Sequence, residues 1–265
     1  MHKRKLGCVV GTVLLAGGAA LAYPGGVEEY VTDTGPFCAS CHSSVTQLQV
    51  RNLLPADPGR RDIEKVHYDA IRSGQGTYKE LTSEQRTMLV EQVQALDKKA
   101  TVTVAVPSSV KPNETLEIKA TVLGGNGPVV GVMLVDSDLR YQARPIASSG
   151  WQILKAPVVQ GPDGQPQTTW LDKRVAGTPR NLNFIQVYGI TPATTQSSVV
   201  TYTLKAPSAP GTYPLAVALL YGVELGTELG TVADPNSPVG KGPRGGFGGR
   251  SGRVKFSELQ TVAVR

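Results

Sequence analysis

The chain has 265 residues, a net charge of +6, 40% hydrophobic residues and 18% charged ones. That length suits two ordinary domains, and so small a basic excess gives no case for nucleic-acid binding. All three cysteines fall in the first 41 residues and two of the three histidines in the first 42, so the two ends of the chain have different chemistry.

The chain opens Met1-His2-Lys3-Arg4-Lys5, continues apolar over residues 6–21, and reaches the small-x-small triplet Ala20-Leu21-Ala22 before Tyr23-Pro24. Residues 1–22 therefore read as a secretory signal peptide. The competing reading is a retained anchor, but the apolar run is short against the roughly 20 residues a spanning helix needs. Membrane association is accordingly expected only through an uncleaved N-terminus, and the protein is expected to be periplasmic or extracellular, including the cell surface. Cleavage removes Lys3, Arg4, Lys5 and Cys8, which takes the net charge to +3 and leaves Cys38 and Cys41 as the only thiols.

Those two cysteines stand in Phe37-Cys38-Ala39-Ser40-Cys41-His42. C-x-x-C-H is the attachment pattern of a c-type haem: two thiols two residues apart each form a thioether with a porphyrin vinyl group, and the adjacent imidazole reaches the iron. A disulfide here would close a loop too short to constrain the unfolded chain. A zinc site would need every remaining Cys and His of the mature chain, namely Cys38, Cys41, His42 and His67. A thioredoxin-like dithiol would need a strand before the motif and a helix after it. One covalent haem c is the expected cofactor, with Cys38 and Cys41 as anchors and His42 as proximal ligand.

Residues 23–99 read as short helices and turns. Residues 61–73 form the best early helix, with Gly74 just past its end, and Ile63, Val66, Ala70 and Ile71 recur at three and four residues along one face. His67 lies on that apolar face and points inward. After a loop at residues 74–78, Leu81-Thr82-Ser83-Glu84 opens a last helix to about residue 96, with Leu89, Val93 and Leu96 as its buried stripe and Met88 on the flank.

The haem motif near the mature N-terminus, Ala70-Ile71-Arg72-Ser73-Gly74-Gln75-Gly76 and the terminal helix opened by Leu81-Thr82-Ser83-Glu84-Gln85 together resemble a small monohaem cytochrome c domain. The resemblance implies an all-α unit and a distal methionine in the loop before the last helix, where this chain has Tyr78. Three distal arrangements stay open: His67 as second iron ligand, which is the preferred expectation, Met88 as the alternative, and no protein ligand. Two nitrogen ligands would set a lower reduction potential than a histidine with a methionine.

From residue 101 the apolar period changes to two. Thr101-Val102-Thr103-Val104-Ala105-Val106 and Thr115-Leu116-Glu117-Ile118-Lys119-Ala120-Thr121-Val122 alternate between turn signals, and further strands are expected at residues 129–135, 151–154, 183–188, 199–204, 213–221 and 254–264. Eight such strands predict an antiparallel sandwich. Pro210-Gly211-Thr212-Tyr213-Pro214-Leu215 resembles the tyrosine corner of immunoglobulin-like domains, and the wider stretch is similar to reeler-type secreted modules, which implies interaction rather than catalysis. Residues 222–253, ending in Gly245-Gly246-Phe247-Gly248-Gly249-Arg250, read as a flexible basic insertion.

The expected fold class is α + β multidomain: signal peptide 1–22, an all-α cytochrome c-like domain at 23–99, and an Ig-like β-sandwich at 100–265 with its Gly-rich insertion at 222–253. The expected function is one-electron transfer by an exported c-type cytochrome, a carrier more than an enzyme, whose sandwich docks a redox partner or self-associates. One rival is a haem enzyme or gas sensor with an open sixth position, for which Asp62, Glu64 and Arg72 are the local acid and base candidates. The other is a structural or adhesive module with an accessory haem.

Overall fold

The computed structural model describes residues 63–138, 143–167, 182–235, 240–246 and 250–265. The segment expected to be a signal peptide and the C-x-x-C-H motif, with Cys38, Cys41 and His42, lie outside the described residues.

Ile63–Tyr68 forms a π-helical turn that runs directly into α1, Asp69–Arg72. The wider turn changes which residues face inward: Ile63, His67, Tyr68, Ala70 and Ile71 are buried, whereas Val66, expected on the apolar face, is 51% exposed. Gly74 takes a φ of +68° just beyond α1, a conformation that costs a side-chain-bearing residue far more than glycine. A 3-10 turn at Gly76–Glu80 then leads to α2, Ser83–Lys99. A reciprocal capping box starts α2: the Gln85 backbone N–H donates to Thr82 Oγ1 at 3.2 Å, and the Thr82 N–H donates to Gln85 Oε1 at 2.9 Å. Its buried stripe is Leu89, Val90, Val93 and Leu96.

The strands fall into two main sheets and a hairpin. One sheet orders β1 (Thr101–Ala105), β3 (Thr115–Leu123), β9 (Ser198–Lys205), β6 (Val158–Gln160) and β7 (Pro166–Gln167), with β5 (Gln152–Ile153) also on β9. The other orders β2 (Ser109–Val110), β14 (Gln260–Val264), β10 (Gly211–Gly222), β4 (Asn126–Val135) and β8 (Ile185–Tyr188), with β13 (Gly252–Phe256) also on β10. The hairpin joins β11 (Thr231–Ala233) to β12 (Lys241–Pro243). All pairings are antiparallel except β2 with β14.

β10 organises the second sheet, and its near-continuous apolar run has a simple cause: both faces are covered. Leu215, Val217, Leu219 and Tyr221 join the main core with Ile118, Val122 and Tyr202 of the first sheet. Ala216, Ala218 and Leu220 pack on the other side with Met133, Phe184 and Val254. Gly131 of β4 lets Phe184 lie close to the sheet, since a Cβ there would come 2.7 Å from its ring. At the start of β10, the Tyr213 hydroxyl donates to the Ala209 carbonyl at 2.9 Å, the contact a tyrosine corner makes.

The expectation of an α + β protein with a separate all-α domain is overturned. Among the described residues only α2 is a long helix, α1 is a single turn, and the described structure is dominated by strands. These helices have too little apolar surface to close a core against each other. Instead Ile71, Leu89, Val93 and Leu96 belong to the same core as Val122, Val132 and Leu219 of the sheets. The single strand expected at residues 254–264 is two, β13 and β14, and β2, β6, β7, β11 and β12 are strands that no expectation covered because they have too few residues to show a period.

Candidate functional site

The seam between the helical segment and the sandwich holds a buried polar cluster centred on His67. His67 is 1% exposed, Glu224 is 0% and Arg253 is 2%. Each comes from a different element: His67 from the π-helical turn, Glu224 from the 3-10 turn Glu224–Gly226 that follows β10, and Arg253 from the start of β13. A neighbouring turn supplies Tyr78, the residue that stands where a distal methionine was expected.

Nδ1 of His67 lies 2.7 Å from Nη2 of Arg253, and Nε2 lies 2.7 Å from Oε1 of Glu224. A guanidinium can only donate, so Nδ1 must accept and the ring proton must sit on Nε2, from which it donates to Glu224. Burial holds the His67 pKa below its ordinary value; the Glu224 hydrogen bond opposes this and the Arg253 charge adds to it. The imidazole is thus a neutral bridge between a buried cation and a buried carboxylate. Glu224 accepts two further bonds, one from the Tyr78 hydroxyl and one from the Gly245 N–H at 2.6 Å. Burial and the Glu224 charge raise the Tyr78 pKa, so its hydroxyl stays a donor.

Arg253 donates to the carbonyls of Arg250 at 2.8 Å and Gly252 at 3.0 Å, and its guanidinium lies 5.5 Å from the Tyr68 ring centroid. Its Nε makes no hydrogen bond and faces Asp97 Oδ1 at 3.7 Å. Two further groups of contacts join helix to sandwich. Arg244 donates to the Thr77 carbonyl at 2.7 Å, Glu80 Oε2 at 2.9 Å and the Leu229 carbonyl at 2.7 Å. At the far end of α2, Tyr221 donates to Asp97, and Lys255 donates to the Asp97 and Ala100 carbonyls.

The insertion at 222–253 is therefore no flexible loop in its described parts. Glu224, Arg244, Gly245 and Arg253 are the side of the seam that grips the helices, and the hairpin β11–β12 gives the segment its own backbone pairing. Its glycines suit this role: a Cβ on Gly245 would stand 2.8 Å from the Tyr78 hydroxyl oxygen.

Of the expected iron ligands, His67 does point inward, but both of its nitrogens are taken by protein partners, so it does not fit a distal haem ligand in this arrangement. Met88 is 51% exposed on α2, and Met133 is buried in the apolar cluster on the outer face of the second sheet. The acid and base candidates of the enzyme reading do not converge: Glu64 and Arg72 pair with each other on the surface, and Asp62 lies outside the described residues. Among the described residues no group of three or more His, Cys, Asp or Glu side chains could hold a metal ion, and no helix is long and apolar enough to cross a membrane.

Glu224 and Arg253 escaped the sequence reading because they sit in a segment whose glycines suggested looseness. A signal existed in Tyr221-Gly222-Val223-Glu224, where an acid ends the longest apolar strand, and an inward-facing histidine needs partners. No protein-family model matches this chain and no curated protein matches it.

Proposed function

We propose that this chain is an exported c-type cytochrome that passes single electrons through one covalently held haem, with the sandwich as the scaffold that presents the haem-bearing segment to a redox partner. The observation that carries this reading is Cys38-Ala39-Ser40-Cys41-His42 behind an export signal, in a mature chain with no thiol left over. Cys38 and Cys41 would hold the porphyrin through thioethers and His42 would ligate the iron; the haem, when bound, supplies the ferric and ferrous states. The buried seam supports the scaffold half of the reading. It anchors residues 63–99, the stretch that follows the motif, to the sandwich through the buried side chains of His67, Tyr78, Glu224 and Arg253.

The test is expression in a host competent for c-type haem attachment. A pyridine haemochrome spectrum with both vinyl groups saturated, and a mass one haem above the mature chain, are expected. Loss of both in Cys38→Ala/Cys41→Ala would complete the case. A wild-type protein that carries no covalent haem under those conditions overturns the reading.

A second reading is favoured by one observation, the engagement of His67. With that imidazole spent, an open sixth position suits a haem enzyme or gas sensor. Ferric protein that is high-spin and shifts its absorbance on cyanide addition, with the ferrous form binding carbon monoxide, would select this reading over the carrier. A low-spin spectrum indifferent to both would select the carrier.

A further inference from the structure

We infer that His67 is not a ligand of the haem iron but the neutral keystone of a clamp, Arg253–His67–Glu224, whose two outer members act as positioning residues that fix its tautomer. The inference rests on the haem reading above, and concerns what that haem does not use.

An imidazole can ligate iron only through a lone pair, and a neutral imidazole has one. In His67 that lone pair is on Nδ1 and accepts from Arg253 at 2.7 Å. Turning it to a metal would leave the Arg253 guanidinium, 2% exposed, without the acceptor for its Nη2. Ligation through Nε2 needs that nitrogen to lose its proton, the one donated to Glu224 Oε1 at 2.7 Å. The carboxylate, fully buried, would then face a nitrogen with nothing to donate. Either route takes a hydrogen bond from a buried charged group, which costs stability even where that group keeps other partners. Tyr78 and the Gly245 N–H make the arrangement tighter still, since both hold the same carboxylate in place from other sides.

The chemistry also predicts which substitution is tolerated. A glutamine at 67 carries an acceptor oxygen and a donor amide, so it can serve Arg253 and Glu224 at once, yet it is no strong ligand for haem iron. The test is the visible and near-infrared magnetic circular dichroism of holoprotein carrying His67→Gln, beside nitrogen-15 spectra of wild-type holoprotein labelled at histidine. The expected result is an unchanged spin state, Soret position and near-infrared charge-transfer band in His67→Gln. The expected wild-type nitrogen spectrum has one imidazole with ordinary diamagnetic shifts and its proton on Nε2, absent from His67→Gln. Conversion of His67→Gln to a high-spin spectrum, or paramagnetic shifts on both His42 and His67, overturns the inference. Should His67→Gln fail to accumulate, the wild-type nitrogen spectrum decides alone. A wild-type protein without any Soret band would remove the haem reading instead, and the clamp would then stand on the Nε2–H tautomer and fall on any other protonation state of His67.

Discussion

Tyr78 donates its hydroxyl to Glu224, 146 residues further along the chain, and both groups are buried. The bond ties the 3-10 turn before α2 to the turn after β10, so it joins the helical segment to the centre of the second sheet. Tyr78→Phe removes that donor and leaves the ring, so it isolates the bond from the packing. Glu224 keeps His67 and Gly245, and the expected cost is about 1.5–3 kcal/mol in unfolding free energy, in line with one hydrogen bond to a charged group. Urea titration would read this as a lower midpoint with an unchanged slope.

The Arg253–His67–Glu224 line predicts strong non-additivity. Glu224→Ala removes the carboxylate opposite a buried guanidinium and is expected to cost about 3–5 kcal/mol, as breaking a buried ion network does. Arg253→Met alone should cost a similar amount. The double variant removes both charges together, and is expected to be far less destabilised than the sum of the two, by on the order of 1–3 kcal/mol. Equilibrium unfolding of the four proteins completes the cycle; strict additivity would show that the three residues do not act as one network.

Acid should loosen the same seam. The folded protein holds the His67 pKa below its ordinary 6.5, mainly through burial. Above that ordinary value the ring is neutral in both states and His67 adds no pH dependence. As the pH falls through 6.5 the unfolded chain binds a proton that the folded chain refuses, so stability is lost, with a limiting slope of about 1.4 kcal/mol per pH unit. The loss stops where the folded ring itself protonates. Chemical denaturation between pH 7.5 and about 5 should show this decline, and His67→Gln should flatten it.

The parts of this protein that were legible in the sequence are those with a period or a cap. Leu89, Val93 and Leu96 mark α2, Thr82 and Gln85 start it, and the strict alternation at residues 115–122 marks β3. Tyr213 announces its corner through local chain geometry alone. The inward direction of His67 was legible too, because a helical face is a local property. What it faces was not, since Glu224 and Arg253 lie 157 and 186 residues away and nothing local couples them to it. The separate helical domain failed for the same reason. A stripe on α2 shows that a partner surface exists, and here the partner is a sheet.

Gly245 offers a steric test of the seam. Its N–H donates to Glu224, and a Cβ there would stand 2.8 Å from the Tyr78 hydroxyl and 3.0 Å from Arg250 Cβ. Gly245→Ala must therefore displace either Tyr78 or the turn after β12, with an expected cost of about 1–3 kcal/mol. Combining it with Tyr78→Phe removes the hydroxyl that the new methyl group meets, so the pair should be less than additive. Thermal unfolding of the single and double variants gives the comparison. By contrast, Gly246, whose Cβ would meet nothing within 4 Å but whose φ is +85°, should respond to alanine through backbone strain alone, with no coupling to Tyr78.

The shared core makes a prediction about folding units. If residues 63–99 were a domain, helical circular dichroism and tryptophan fluorescence could report separate transitions. In this structure Leu89, Val93 and Leu96 pack in the same core as Leu219 and Tyr221, while Asp97 receives Tyr221 and Lys255 lies on the carbonyls that end α2. A chain beginning at residue 100 would therefore expose part of that core. It would also leave Glu224 without His67 and Tyr78, and Arg253 without His67. Those charged groups would then turn to water, and the main loss is the apolar burial that Leu89, Val93 and Leu96 give the sheets, about 1.5–3 kcal/mol for each such side chain and together comparable with the whole stability of a domain. The expected outcome for the full chain is a single transition in which both signals coincide. The 100–265 fragment is expected to melt at a markedly lower temperature, or to bind a hydrophobic dye as a loosely packed state. A fragment as stable as the full chain would mean that the helices merely rest on the sandwich, and that the buried seam contributes nothing to holding it together.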